Sequence, residues 1–276
     1  MKGASPEGAR NEQEAARWVR GMFGRVARRY DLANHLLSFN IDRHWRSHTV
    51  RRVHEVLERP GTRALDLCCG TGDLTLELWR LGALPVPREE PAAAPLSGPP
   101  ARTGESPVPP KHPQVLGSDF CHPMLTAARQ KIGNRGISLF EADALRLPLR
   151  DRSLDLLTVA FGFRNLANYE AGLAEIRRVL RPGGVAAILE FSQPPNAAFR
   201  AVYNFYSRRI LPWIGGALSG SRDAYTYLPE SVRKFPSAEE LAEGMRRAGF
   251  ENVIFEYLTG GIVALHMGYS TTAPAF

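Results

Sequence analysis

The heptapeptide Asp66-Leu67-Cys68-Cys69-Gly70-Thr71-Gly72 has the residue types and spacing of a ligand cradle. Residues 63–67 form a short apolar run carrying one acid, the pattern of a strand buried on both faces. The turn that follows is small and glycine-bearing, so the backbone can double back and approach a ligand closely. From Asp73 the period changes, with Leu74, Leu78 and Leu81 on one helical face. Strand, small turn and helix N-terminus together make a nucleotide site.

Two ligand chemistries compete for it. A dinucleotide site wants G-x-G-x-x-G and an open helix end for the pyrophosphate. Here Thr75 takes the third Gly position, and Asp73 sets a carboxylate where that anion would sit. A ligand carrying a sulfonium and an ammonium instead welcomes acids at Asp66 and Asp73, so S-adenosylmethionine suits the loop better. A plain tight turn is the bland alternative.

A second acid belongs to the same cradle. In a nucleotide fold a ribose-binding carboxylate stands ~20 residues beyond the glycine turn. Asp119 lies 47 residues past Gly72, but residues 84–113 hold ten prolines in thirty positions and show no periodicity. They read as an extended, disordered insertion, and without them the spacing is 17. Residues 114–118 are then the second strand, with Asp119 at its carboxyl end to accept both ribose hydroxyls. After a third strand over 137–140, Glu141-Ala142-Asp143-Ala144-Leu145 sets Asp143 beside the cradle as an acceptor for an adenine amino group.

The elements that must position these groups form a parallel sheet. Helices over 122–132 and 171–180 alternate with strands over 154–160 and 185–191, the last entered through Arg181-Pro182-Gly183-Gly184. Such alternation implies right-handed crossovers and a ligand edge at the strands' carboxyl ends. A helix over 237–248 opens close to a capping box, and 251–257 and 261–269 close the sheet as a pair turning at Gly260-Gly261. Residues 12–57 predict two or three helices after a polar, disordered lead. The expected division is a helical cap over 1–60 and a cofactor-binding domain over 61–276.

The net charge of +7 and pI near 9.6 invite nucleic acid or an anionic membrane. Much of the excess is local, since residues 10–60 carry eleven Arg against six acids. Phe199, Val202, Tyr203, Tyr206 and Ile210 share a helical face among Arg200, Arg208, Arg209 and Arg222, with no acid over 200–222. A lid over the pocket is the first reading of that stretch and a membrane interface the second. Three cysteines, two of them adjacent, give neither a disulfide framework nor a metal quartet and suit a reducing compartment. No apolar run approaches the ~18 residues that cross a bilayer, and no signal-peptide core opens the chain. A soluble or peripheral protein is expected.

The cradle, Asp119 and the Arg-Pro-Gly-Gly turn resemble class I S-adenosylmethionine-dependent methyltransferases. More narrowly, Tyr30-Asp31-Leu32-Ala33-Asn34, Ala160-Phe161-Gly162-Phe163-Arg164-Asn165 and Leu189-Glu190-Phe191-Ser192 resemble the UbiE/MenG family. Its members C-methylate demethylmenaquinone or a ubiquinone precursor. The resemblance spans about residues 15–270 outside the insertion. It implies a doubly wound, mostly parallel, seven-stranded α/β sheet of Rossmann-like type, S-adenosylmethionine as cofactor and a polyprenylated quinol as substrate. It also implies a cytoplasmic place that reaches the inner face of the cell membrane. Thr71, Asp119, Asp143 and Ala144 then contact the cofactor, alongside Asp66, Gly70 and Gly72 of the cradle. Two departures stand out: Cys68 and Cys69 replace smaller residues, and Asp143 stands where Asn is common.

Transfer from a sulfonium needs orientation rather than a metal, since the leaving group departs neutral. The ring carbon becomes nucleophilic once the neighbouring hydroxyl of the reduced quinol loses its proton. Arg164 and Asn165 end the fourth strand on the ligand edge. Arg164 stays protonated and is cast as a stabiliser of quinolate charge, with a salt bridge to the cap as its structural alternative. Tyr30, Asp31 and His44 are candidates for proton acceptance or substrate wall. The rival suggested by pI is a nucleic-acid methyltransferase. Its amine-methylating forms carry Asn/Asp-Pro-Pro-aromatic where this chain has Phe161-Gly162-Phe163, so nucleic acid is not an expected partner. A nicotinamide oxidoreductase is disfavoured by Asp73 and Thr75.

Overall fold

A computed structural model describes residues 3–6, 8–27, 38, 40–82, 112–206, 209 and 222–271, with the backbone alone over 222–226. Seven strands form one sheet: β1 Arg63–Leu67, β2 Gln114–Asp119, β3 Ser138–Glu141, β4 Leu154–Ala160, β5 Leu180–Phe191, β6 Phe250–Leu258 and β7 Val263–Ser270. Their order is β3-β2-β1-β4-β5-β7-β6. The five strands from β3 to β5 run parallel, while β7 lies antiparallel between β5 and β6. From β1 the chain builds outward through β2 and β3, then crosses back to β4. That reversal opens a crevice beyond the carboxyl ends of β1 and β4, where open α/β sheets bind ligands.

The helices are α1 Glu12–Val26, α2 Ile41–Arg52, α3 His54–Leu57, α4 Asp73–Gly82, α5 His122–Ile132, α6 Tyr169–Val179, α7 Ala197–Phe205, α8 Arg222–Lys234 and α9 Ala238–Arg247. Alternate strand residues face opposite layers. Leu65, Leu67, Leu157, Val159, Ala186 and Ile188 pack on α6 and α9 through Leu173, Ile176, Leu241 and Met245. On the other face Ala64, Leu156, Val185, Ala187 and Leu189 meet Trp45, Val50, Val53, Leu57, Leu74 and Leu78. The helices ahead of β1 therefore split their work. α2 and α3 cover the sheet beside α4, whereas α1 packs on α5 and α8.

Three differences from the sequence reading have physical causes. The lead is not free over residues 3–6. The Ala4 N–H donates to the Leu166 carbonyl at 2.7 Å, Lys234 Nζ donates to the Ser5 carbonyl at 3.1 Å, and Pro6 is buried. The sixth helix ends at Val179, and β5 already begins at Leu180. The Arg181–Gly184 turn is absorbed as a register shift in that strand, with Gly183 at φ +76°. A helix over Arg222–Lys234 goes unannounced in the sequence because Pro229 lies inside it. Residues 84–111 of the insertion and much of the basic-aromatic stretch lie outside the described residues.

Candidate active site

The cradle owes its shape to three left-handed residues, Cys68 (φ +55°), Gly70 (φ +55°) and Gly72 (φ +86°). At Gly72 the positive φ favours glycine, and a β-carbon would also crowd α5, 3.2 Å from the Ile132 side chain and 3.4 Å from that of Ala128. Thr75, at the third Gly position, stands beside Gly117 of β2. A β-carbon there would meet the Leu139 side chain, Cys69 Sγ and, at 3.4 Å, Thr75 Cγ2.

Asp119 ends β2 beside this turn and is 7% exposed. Its Oδ2 accepts from the Gly70 N–H at 2.9 Å and its Oδ1 from the Cys121 N–H at 2.8 Å. Burial nevertheless pushes its pKa up to about 6. A carboxylate has about four acceptor sites, so capacity remains for two hydroxyls. Asp143 lies exposed at the cavity, its Oδ1 accepting from the Leu145 N–H at 2.9 Å. Both acids line one open-mouthed cavity at the carboxyl edge of the sheet. Leu67, Cys68, Gly70, Phe120, Ala144 and Asn165 are among its lining residues.

The other cradle acids stand behind this lining. Asp66 is buried, accepting from Thr75 Oγ1 at 2.6 Å and Thr158 Oγ1 at 3.2 Å. Desolvation pushes its pKa up to about 7. It ties β1, β4 and α4 together rather than facing the cavity. Thr71 and Gly72 are also set back, and the Thr71 hydroxyl accepts from Lys131 Nζ at 3.1 Å. Lys131 pairs with Asp73 at 2.6 Å, and Arg46 approaches Asp73 at 3.4 Å. The α4 N-terminus thus already carries a compensated carboxylate, leaving no seat for a pyrophosphate.

At the end of β4 the chain turns through Phe161, whose φ of +58° is uncommon for an aromatic residue. The turn aims the Phe161 carbonyl at the side chains of Arg164 and Asn165, accepting from Arg164 Nη1 and, at 3.5 Å, from Asn165 Nδ2. Phe161, Phe191 and Trp45 form an aromatic wall with centroids 4.9 to 6.2 Å apart. Arg164 is 5% exposed. Its guanidinium lies 5.2 Å over the Phe191 ring and pairs at 2.8 Å with Glu190 of β5. Asn165 lines the cavity while Arg164 sits one layer deeper. His44 is exposed on α2 and away from the cavity. Tyr30 and Asp31 lie outside the described residues.

Sequence reasoning missed Phe23 and Ala16 of α1, Phe120 and Met124, all cavity-lining, and Glu190. An acid closing an otherwise apolar strand was the available signal for Glu190. The lining from α1 had none.

A β3-β2-β1-β4-β5-β7-β6 sheet with an acid-ended β2 beside a glycine turn defines a class I methyltransferase. Solved structures share that fold. A SAM-dependent methyltransferase of Thermotoga maritima matches with a TM-score of 0.58 at 17% identity, covering 91% of this chain and 99% of its own. One of Aquifex aeolicus matches with a TM-score of 0.50 at 16% identity, covering 81% and 89%. The chain belongs to the ubiE/COQ5 methyltransferase family, whose profile matches residues 9–270. A demethylmenaquinone methyltransferase of Thermus thermophilus is 45% identical over 90% of this chain and 99% of the relative. One of Deinococcus radiodurans is 41% identical over 94% and 95%. A ubiquinone/menaquinone biosynthesis C-methyltransferase of Shewanella pealeana is 37% identical over 93% and 92%.

Proposed function

We propose that this chain methylates the ring carbon of demethylmenaquinol with S-adenosylmethionine as donor. The observation that carries the reading is full-length similarity to two demethylmenaquinone methyltransferases, at 45% and 41% identity. When bound, the cofactor supplies a methyl group on a sulfonium. Asp119 holds the ribose hydroxyls, Asp143 and Ala144 meet the adenine, and Gly70 lets the backbone close on the ligand. Asn165 offers an amide N–H to the oxygen that becomes charged as the ring carbon attacks. Arg164, half-neutralised by Glu190, adds positive potential from the layer behind. Tyr30 and Asp31 remain the candidates for proton acceptance or substrate wall, while His44, exposed and away from the cavity, is not one. The phenyl faces of Phe161 and Phe191 exclude water from the quinol.

A polyprenyl tail places the substrate in a bilayer, and α7 supports collection there. Its outward face is apolar, with Val202 65% and Phe205 63% exposed beside Phe199, and Arg200 on the same helix. Basic side chains near an anionic bilayer add roughly 1 kcal/mol each. Among the described residues no helix is long and apolar enough to cross a membrane. Contact is then peripheral, at the cytoplasmic face.

The decisive assay incubates purified protein with S-adenosylmethionine and chemically reduced demethylmenaquinone, with a demethylated ubiquinone precursor in parallel. Menaquinone formation is expected. Exclusive turnover of the second substrate would move the chain to the ubiquinone branch. Retention on anionic vesicles at low salt, lost in Val202→Glu/Phe205→Glu, tests the surface.

A further inference from the structure

Tyr227 is the point at which α8 reaches the site. It is 7% exposed, and its ring packs 5.0 Å from that of Trp18 on α1. Its hydroxyl lies 3.1 Å from Asn165 Oδ1. The other end of that amide faces the Phe161 carbonyl at 3.5 Å. A carbonyl only accepts, so Nδ2 must be the end turned to Phe161, and Oδ1 the end turned to Tyr227. The phenol therefore donates. An amide nitrogen carries two hydrogens. With Oδ1 engaged by Tyr227 and one hydrogen directed at Phe161, the second hydrogen is what Asn165 can offer the cavity it lines.

We propose that Tyr227 is a positioning residue that fixes the polarity of the Asn165 amide, so that a donor and not an acceptor meets the substrate oxygen. The inference rests on the quinol-methylating reading of the site. An amide free to rotate would spend part of its time with Oδ1 toward the cavity, where a developing anion repels it. The phenol is suited to the task because burial pushes its pKa up to about 12, leaving it a donor at any working pH. The Trp18 contact holds the ring whether or not the hydroxyl is present.

Tyr227→Phe removes the hydroxyl and keeps the ring. Its kcat should fall about tenfold, the upper end for one neutral hydrogen bond. Cofactor affinity, quinol KM and melting temperature should stay near those of the parent. The same change in an Asn165→Ala background should have no further effect, because Tyr227 acts only through that amide. A full kcat in Tyr227→Phe alongside a slowed Asn165→Ala overturns the proposal and leaves the reading of Asn165 standing. Independent, additive losses also overturn it, by giving Tyr227 another route. Should the parent not turn over demethylmenaquinol, the reading of function fails, and the proposal is decided by NMR. The Asn165 side-chain amide signals of the cofactor-bound protein should shift in Tyr227→Phe. Unmoved signals overturn it.

Discussion

Burial holds the Asp119 carboxyl near 6 although backbone N–H groups donate to it, and ribose hydroxyls bind the ionised form best. Cofactor affinity should therefore be flat above about pH 7 and fall up to tenfold per pH unit below 6. Calorimetric titration across pH 5–8 checks this, and the trend should vanish in Asp119→Ala. That variant should itself weaken binding by ~1.5–3 kcal/mol, the range for charged hydrogen bonds. The Arg164–Glu190 pair argues a second case. Arg164→Leu alone leaves a carboxylate buried and unpaired, a loss on the order of 3–5 kcal/mol in stability. Arg164→Leu/Glu190→Gln should recover much of the melting temperature. Turnover should stay low and cofactor affinity near normal, because the partner of the lost charge develops on the substrate. Full turnover in the folded double variant would remove Arg164 from the mechanism.

Among elements, the proline-rich segment leaves and rejoins the fold at one place. A β-carbon on Gly82 would run into the Pro113 ring, and His112 Nδ1 lies 3.3 Å from the Gly82 carbonyl. Replacing residues 84–111 with a short Gly/Ser link should leave cofactor binding and melting nearly unchanged, since closure depends weakly on loop length. Unfolding of the deletion would show that the segment is packed. The same segment shows what was legible in the sequence. Excising it recovered the Asp119 spacing and with it β2, and β1 and β4 announced themselves as apolar runs. Their burial needs no partner to be named in advance. The Arg164–Glu190 pair, the cavity lining from α1 and the Tyr227 contact join residues 26 or more positions apart in the chain. No local period encodes such pairings. The α8 helix was hidden for a local reason, the proline that ordinarily breaks one.

For the molecule as a whole, three buried groups set opposing pH responses. His266 is stacked on Phe255 at 5.3 Å with its Nε2 2.8 Å from the Ala238 carbonyl, and burial lowers its pKa to about 4. The unfolded chain binds that proton first, so His266 costs stability as pH falls from 6.5 toward 4, on the order of 3 kcal/mol in full. Asp66 and Asp119 have raised values, so the folded state binds protons first. Their stabilisation is complete below about pH 4 and is lost as pH rises through 6 and 7. The cofactor-free protein should thus melt higher at pH 5.5 than at pH 7.5. His266→Gln should widen that gap, and bound cofactor should narrow it by holding Asp119 ionised. Chemical denaturation at the two pH values gives the answer.

The strand order also governs how the protein comes off the ribosome. β6 is made before β7, yet its one neighbour in the sheet is β7. Until residues 263–270 have emerged, β6 has no berth and the outer edge of β5 stands open, a row of unpaired N–H and C=O groups. The cofactor cradle, by contrast, is complete once β4 and β5 have joined β1 and β2. A nascent chain can therefore hold a finished ligand pocket and an unfinished, association-prone flank at the same moment, and chaperone demand should peak in that interval.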